Sequence, residues 1–209
     1  MGLTAKDTGG GGGDYEIIPE DTFQGICYAV YDLGTHYNEK FGKSHHKILI
    51  CWEIPEIRID IDKDGETKNL PKAISSRYTL SLHEKSNLRK MLQSWRGKAF
   101  TDKELEGFDL LNLLGANCML QIIHNVVGEK TYANVSQVGK LYKSIDRLKA
   151  ENPLTSFSFE TDDQLPENTP GWIADIIKAS DEWQGMGQSQ SHDSDGEGPA
   201  LPGDDEIPF

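Results

Sequence analysis

The apolar positions of the first 80 residues recur at strand spacing. Residues 23–33 are rich in β-branched and aromatic side chains (Ile26, Tyr28, Val30, Tyr31) and stop at Gly34, which predicts a first strand. Residues 35–46 are polar and contain Gly42, which predicts a loop. A second strand is predicted over 47–61, with Ile48, Ile50, Trp52 and Ile54 on one face and a break or bulge at Pro55. Asp62-Lys63-Asp64-Gly65 then has the composition of a hairpin turn. The third strand, 74–82, alternates clearly. Ile74, Ser76, Tyr78, Leu80 and Leu82 share one face, and Ser75, Arg77, Thr79 and Ser81 share the other.

The period then changes from two to that of a helix. Leu88, Met91, Leu92 and Trp95 recur at helical spacing, with Ser81 or His83 as a cap and Gly97 as the stop. A second helical stretch over 100–115 opens with a capping box at Thr101 and Glu104. Strands are predicted over 117–127 and 130–138, joined through Gly128-Glu129. Three strands, a helix and two strands follow the plan of the OB fold. The expectation is therefore a mainly β chain built on a five-stranded OB-fold Greek-key barrel, with a helix between strands three and four.

Domain boundaries follow composition. Residues 1–14 carry five consecutive glycines and read as a flexible linker, since the run lacks the strand, Lys and Ser/Thr of a phosphate loop. Residues 15–150 form the barrel. Residues 151–184 form an extension with an added strand or arm near 154–159, an acidic loop, and a short helix. Trp172, Ile173, Ile176, Ile177 and Trp183 give that helix an apolar face, expected to pack on the barrel or a second subunit, with a partner-binding helix as the alternative. Residues 185–209, poor in residues that could be buried, are expected to be a disordered acidic tail.

Charge sharpens this division. The net charge is −13, but residues 150–209 hold 14 of the 34 acids and one of the 21 basic residues, Lys178. The remainder of the chain is neutral, so the overall acidity does not argue against a body that binds nucleic acid. Cys27, Cys51 and Cys118 are odd in number, widely spaced and set among apolar residues, which predicts buried free thiols in a reducing compartment. No run has the length of a membrane span and no signal peptide is evident, so a soluble protein of the bacterial cytoplasm is expected.

The last six residues, Asp204-Asp205-Glu206-Ile207-Pro208-Phe209, put an apolar tip behind three acids. They resemble the acidic tail ending in Asp-Asp-Ile-Pro-Phe of bacterial single-stranded DNA-binding proteins, here with Glu206 beside the Ile-Pro-Phe. The resemblance implies a docking role. The terminal Phe and its carboxylate would enter a basic-rimmed apolar pocket on a DNA-processing partner, while the acids speed encounter.

The body is similar to a family of tailed-phage and prophage proteins over roughly residues 15–185. The stretches that carry the likeness are Tyr28-Ala29-Val30-Tyr31-Asp32-Leu33-Gly34, Trp52-Glu53-Ile54-Pro55, Arg77-Tyr78-Thr79-Leu80-Ser81-Leu82-His83-Glu84-Lys85-Ser86-Asn87-Leu88-Arg89, Trp95-Arg96-Gly97 and Thr131-Tyr132-Ala133-Asn134-Val135. That family looks like single-stranded DNA-binding or replication-associated proteins. No residue role follows from the likeness.

Holding a strand without sequence choice needs cations for phosphates and aromatic rings for bases. Residues 77–98 hold six basic residues, Arg77, Lys85, Arg89, Lys90, Arg96 and Lys98, against one acid, Glu84. Arg77 stands out because it lies on the polar face of an otherwise apolar strand. Lys85, Arg89 and Lys90 serve equally well as the solvated side of a helix. A second cluster precedes strand two: Tyr37, Lys40, Phe41, Lys43, His45, His46 and Lys47, with Lys72 extending the track. The DNA-binding candidates are Arg77, Lys72, Lys43, Lys47, Arg89 and Arg96, with Tyr31 and Tyr132 favoured for stacking over Tyr28 and the core candidates Trp52 and Trp95. The docking candidates are Asp204, Asp205, Glu206, Ile207, Pro208 and Phe209.

Hydrolase, phosphate-loop and dinucleotide motifs are absent, and His45-His46 lacks Cys or acid at ligand spacing, so neither catalysis, cofactor nor metal is expected. The expected partners are single-stranded DNA, host or phage replication and recombination proteins through the tail, and a second copy of the chain if it assembles. RNA in place of DNA stays open. The rivals are a replisome adaptor whose barrel binds protein and a virion structural barrel.

Overall fold

A computed structural model describes residues 17–39, 42–63 and 66–190. The Gly-rich stretch 1–14, Lys40 and Phe41, Asp64 and Gly65 of the expected hairpin turn, and the docking tip 204–209 lie outside the described residues.

The protein is mainly β. Its strands are β1 (Thr22–Asn38), β2 (Lys43–Lys63), β3 (Glu66–Thr79), β4 (Asn117–Val127), β5 (Lys130–Lys140) and β6 (Thr155–Phe157). The first five form one antiparallel sheet in the order β3-β2-β1-β4-β5, and β6 adds to β1 in parallel. β3 and β5, at the two ends of that order, approach one another. Helix α1 (Asn87–Arg96) packs against both. Short helix α2 (Asp102–Glu106) and a 3-10 turn (Leu110–Leu113) lead into β4, and α3 (Gly171–Lys178) and α4 (Asp181–Gln190) follow β6.

Hairpins run further than the hydrophobic pattern predicts. Residues 35–46, expected as a loop, are paired strand: Thr35 faces His46, His36 faces His45, and Asn38 faces Lys43. β3 likewise begins at Glu66 rather than near Ile74, zipped to β2 as a long arm. Both extensions are polar, so they offered no core-facing alternation to read; backbone pairing alone carries them. The irregularity expected at Pro55 is a bulge. The register jumps from Ile54 opposite Lys72 to Arg58 opposite Pro71, leaving residues 55–57 unopposed on β2.

The sheet is buried on both sides at its centre. On the inner side Ile48, Ile50, Trp52 and Ile54 pack with Leu88, Leu92 and Trp95 of α1 and with Leu120 and Val138 of β4 and β5. Trp52 and Trp95 meet at 5.9 Å between centroids, tilted by 53°. α1 begins after Ser86, later than Ser81 or His83, because those residues close the turn before it: Ser81 Oγ accepts the His83 amide. Its stop at Gly97 is left-handed, φ 66°, as a glycine allows. The capping box of Thr101 and Glu104 forms as expected.

On the outer side, Ala29, Tyr31, Leu33, Leu49 and Cys51 are covered by Phe157, Ile173 and Ile177 from the extension. Carboxylates fasten this cover at both ends. Buried Glu53 accepts the amides of Glu151 and Asn152 at 2.7 and 2.9 Å, and the Asn152 side chain at 2.6 Å. Glu182 accepts the Thr35 amide and hydroxyl, both at 2.6 Å. α4 runs through Gln190, so the segment from 185, expected to be disordered, is helical for its first six residues.

Candidate nucleic-acid interface

Alternation along β2 puts Lys43, His45 and Lys47 on the same side as Leu49, the outer side. Register then adds β3 to the same surface. Thr79 stands opposite Lys47 and Arg77 opposite Leu49, and directly paired residues share a face. The result is a cationic strip from the β1–β2 hairpin to the middle of β3. Two residues separated by 30 positions, Lys47 and Arg77, become neighbours along one wall.

The other wall is α3. Between them lies a groove of about 620 Å³ lined by Leu33, His36, Lys47, Arg77, Asp175, Ile176 and Ala179. Lys47 Nζ donates to Thr79 Oγ1 at 2.7 Å, which orients the ammonium without neutralising it. Arg77 is exposed, and its guanidinium lies 5.9 Å from the centre of the Trp172 ring. Asp175 is the one acid among the lining residues, and it sits on the helix wall.

The hairpin end of this surface is held by His46 between two carboxylates. His46 Nε2 lies 2.6 Å from Asp32 Oδ1, and its Nδ1 lies 3.5 Å from Glu182 Oε1. Burial pushes the Glu182 carboxyl up, but the Thr35 hydroxyl and amide, its own backbone amide and His46 together hold the group below the ordinary carboxylate range. No cluster of three or more His, Cys, Asp or Glu able to hold a metal occurs among the described residues.

Of Tyr31, Lys43, Lys72 and Tyr132, Lys43 alone joins the strip. Tyr31 is 3% exposed, packed beside Leu49 and Phe157, and burial raises its phenol above the usual range. It is a core residue of the outer side, so it cannot stack on a base in this arrangement. Lys43 is exposed at the start of the strip. Lys72 has the inner-side parity, opposite Ile54, and lines a separate apolar groove with Ile17, Ile18 and Leu70. Tyr132 is 48% exposed on the β4–β5 hairpin, opposite Asn125 and outside the groove.

Arg89 and Arg96 of α1 make contacts within the fold. Arg89 Nη1 donates to the Leu82 carbonyl at 3.1 Å. Arg96 is ion-paired to Glu104 and lies over two rings, 4.4 Å from the centre of Phe100 and 5.1 Å from that of Phe108. Its guanidinium is a fastener between α1 and the α2 region, not a phosphate contact.

Sequence reasoning missed two features. Trp172 was grouped with the apolar face of its helix, yet it is 48% exposed while Ile173 and Ile177 are buried. The signal was present in the spacing: Trp172 and Ile176 form one stripe, Ile173 and Ile177 another, and one stripe suffices to dock a two-turn helix. The second feature runs from the end of β5 onward, where Lys140, Lys143 and Arg147 line a groove of about 520 Å³ with Trp95 and Tyr142.

The three cysteines are buried free thiols, and burial raises all of them above the usual range, Cys51 to about 12. Among the described residues no helix is long and apolar enough to cross a membrane. Compared with family models, curated proteins and solved structures, the chain has no match.

Proposed function

We propose that this chain is a single-stranded DNA-binding protein, largely indifferent to sequence, that holds the strand on the outer face of an OB barrel during phage DNA replication or recombination. The order β3-β2-β1-β4-β5, with the end strands drawn together and α1 packed on both, supports the OB plan. The observation that carries the function is the convergence of Lys43, His45, Lys47 and Arg77 on one side of β2 and β3, beside an open groove. Spaced cations on a rigid sheet suit a repeating phosphate backbone, which they meet without reading bases. The segment 204–209 recruits DNA-processing partners through its acids and Ile-Pro-Phe.

The test is a fluorescence-anisotropy titration of labelled poly-dT, with the full chain and with residues 191–209 removed. Binding is expected in both. With three phosphate contacts it should weaken about twentyfold between 50 and 200 mM salt, from a slope of ~0.7 per contact for single strands. No binding by either form at 50 mM salt overturns the proposal.

A second reading, an adaptor whose barrel binds protein, draws on Val126 and Val127, 69% and 68% exposed at the β4–β5 hairpin beside Tyr132. It predicts capture of a replication protein that is nearly independent of salt.

A further inference from the structure

We propose that Trp172 is a stacking platform for one unpaired nucleobase, making the C-terminal extension a wall of the binding site as well as a cover for the sheet. This rests on the strand-binding function proposed above, and it assigns the base-contacting residue that the buried Tyr31 cannot be.

The geometry starts from how α3 is seated. Ile173 and Ile177 are 1% and 0% exposed against the outer side of β1 and β2, which fixes the rotation of the helix about its axis. Trp172, one position earlier, is thereby turned toward β3, where it leaves 48% of its surface in water beside Arg77. A large ring held half exposed by a rigid neighbour is a preformed stacking surface with little conformational entropy left to lose.

The distance to Arg77 is informative. Contact between stacked planar groups needs about 3.5–4.0 Å, and two such layers, with a base in the middle, need roughly 7 Å. The guanidinium stands 5.9 Å from the ring centre. That is within reach of a cation–π attraction, so Arg77 already faces the ring, and it is less than the roughly 7 Å a base between the two planes needs. Arg77 is exposed, so a small rotamer change supplies the difference. A base inserted there would lie between an indole and a guanidinium, two surfaces that tolerate any base.

The polarity of the groove agrees with this placement. Lys47 and Arg77 lie on the sheet wall, while Asp175, Ile176 and Ala179 lie on the helix wall. A strand would run its phosphates along the cations and turn its bases toward α3, because Asp175 repels phosphate from that side.

The experiment compares oligo-dT with an abasic oligonucleotide of equal length and charge, using the full chain at 50 mM salt. Wild-type protein should bind oligo-dT about tenfold tighter than the abasic strand, within the range of a single stacked base. Trp172→Ala should abolish that preference while leaving abasic binding within about twofold. Trp172→Phe should keep most of the preference and lose the quenching of tryptophan fluorescence expected when oligo-dT binds wild type. If Trp172→Ala retains the full preference, the base is held elsewhere and the inference fails. Equal weakening toward both oligonucleotides also defeats it, because Trp172 would then act only by seating α3. If wild-type protein binds neither oligonucleotide, strand binding itself fails, a result distinct from either of these.

Discussion

Two groups of cations in this protein look alike in sequence and behave differently in space. Arg89 and Arg96 lie within the most basic stretch of the chain, yet one is bonded to a backbone carbonyl and the other is paired to Glu104 between two phenyl rings. Arg77 opens that same basic stretch and Lys47 lies 30 positions before it, yet strand pairing sets the two side by side on one face of the sheet. Local charge density therefore says little about available charge. What matters is whether a cation is already neutralised inside the fold, as Arg96 is by Glu104, or keeps its charge toward solvent, as exposed Arg77 does.

The comparison is broken most decisively by reversing charge on the sheet. Lys47→Glu combined with Arg77→Glu should weaken poly-dT binding by about a hundredfold or more at 50 mM salt and lower the salt slope by ~1.4, two contacts' worth. The thermal midpoint should hardly move, since neither side chain is buried. A double variant that binds as wild type would show that the strip is only a solvated face.

Arg96→Ala makes the converse case. The guanidinium contacts Phe100 and Phe108 and is 15% exposed in its side chain, so truncation should cost about 2 kcal/mol from the lost cation–π contacts and packing. Poly-dT affinity, measured well below the new melting midpoint, should stay within twofold of wild type. Weaker binding with an unchanged midpoint would return Arg96 to the interface.

These assignments show what could be read from the chain alone. The inner face of β2, with Ile48, Ile50, Trp52 and Ile54 in alternation, was legible because its partners are of one kind and lie on one side. The capping box at Thr101 and the turn at Gly128 were legible because their chemistry is local. β1 misled. Its run of apolar residues has no polar side, since β6 and α3 cover the face carrying Tyr31, and their distance in sequence is more than 120 positions. A strand buried on both faces carries no period-two signal. Arg77 was picked out by alternation, but its proximity to Lys47 and Trp172 is a property of pairing and helix seating, which no local pattern encodes.

The outer cover can be tested at its tightest contact. Gly34 has φ 74°, and a Cβ there would lie 2.5 Å from the Ser180 Cβ and 2.7 Å from Glu182 Oε2. Gly34→Ala therefore combines a disfavoured backbone with a clash, at a cost of roughly 1–3 kcal/mol. Because the clash falls on the Glu182 latch, α4 should loosen before the sheet does. Limited proteolysis is expected to cut the extension of the variant while the sheet survives; equal resistance of both proteins would show that the latch does not hold the cover.

The smallest effect concerns the acid that occupies Arg96. The Thr101 amide, the Arg96 guanidinium and the Thr101 hydroxyl together hold the Glu104 carboxyl at about 2, from an ordinary value of 4.5. Folding thus favours the ionised form. The contribution to stability is complete above the unfolded value and fades as pH falls from near 5 toward 2, where both states become protonated. Urea melts of wild type and Glu104→Gln should differ most at neutral pH, and the gap should narrow across that window. The amide variant keeps the size of the side chain but loses the charge and one of the two acceptor oxygens, so only the titratable part of the gap reports the ionic tie of α1 to α2. A gap that stays constant from pH 7 down to 2.5 would mean that Arg96 is held by its two rings alone, with Glu104 contributing through its cap and not its charge.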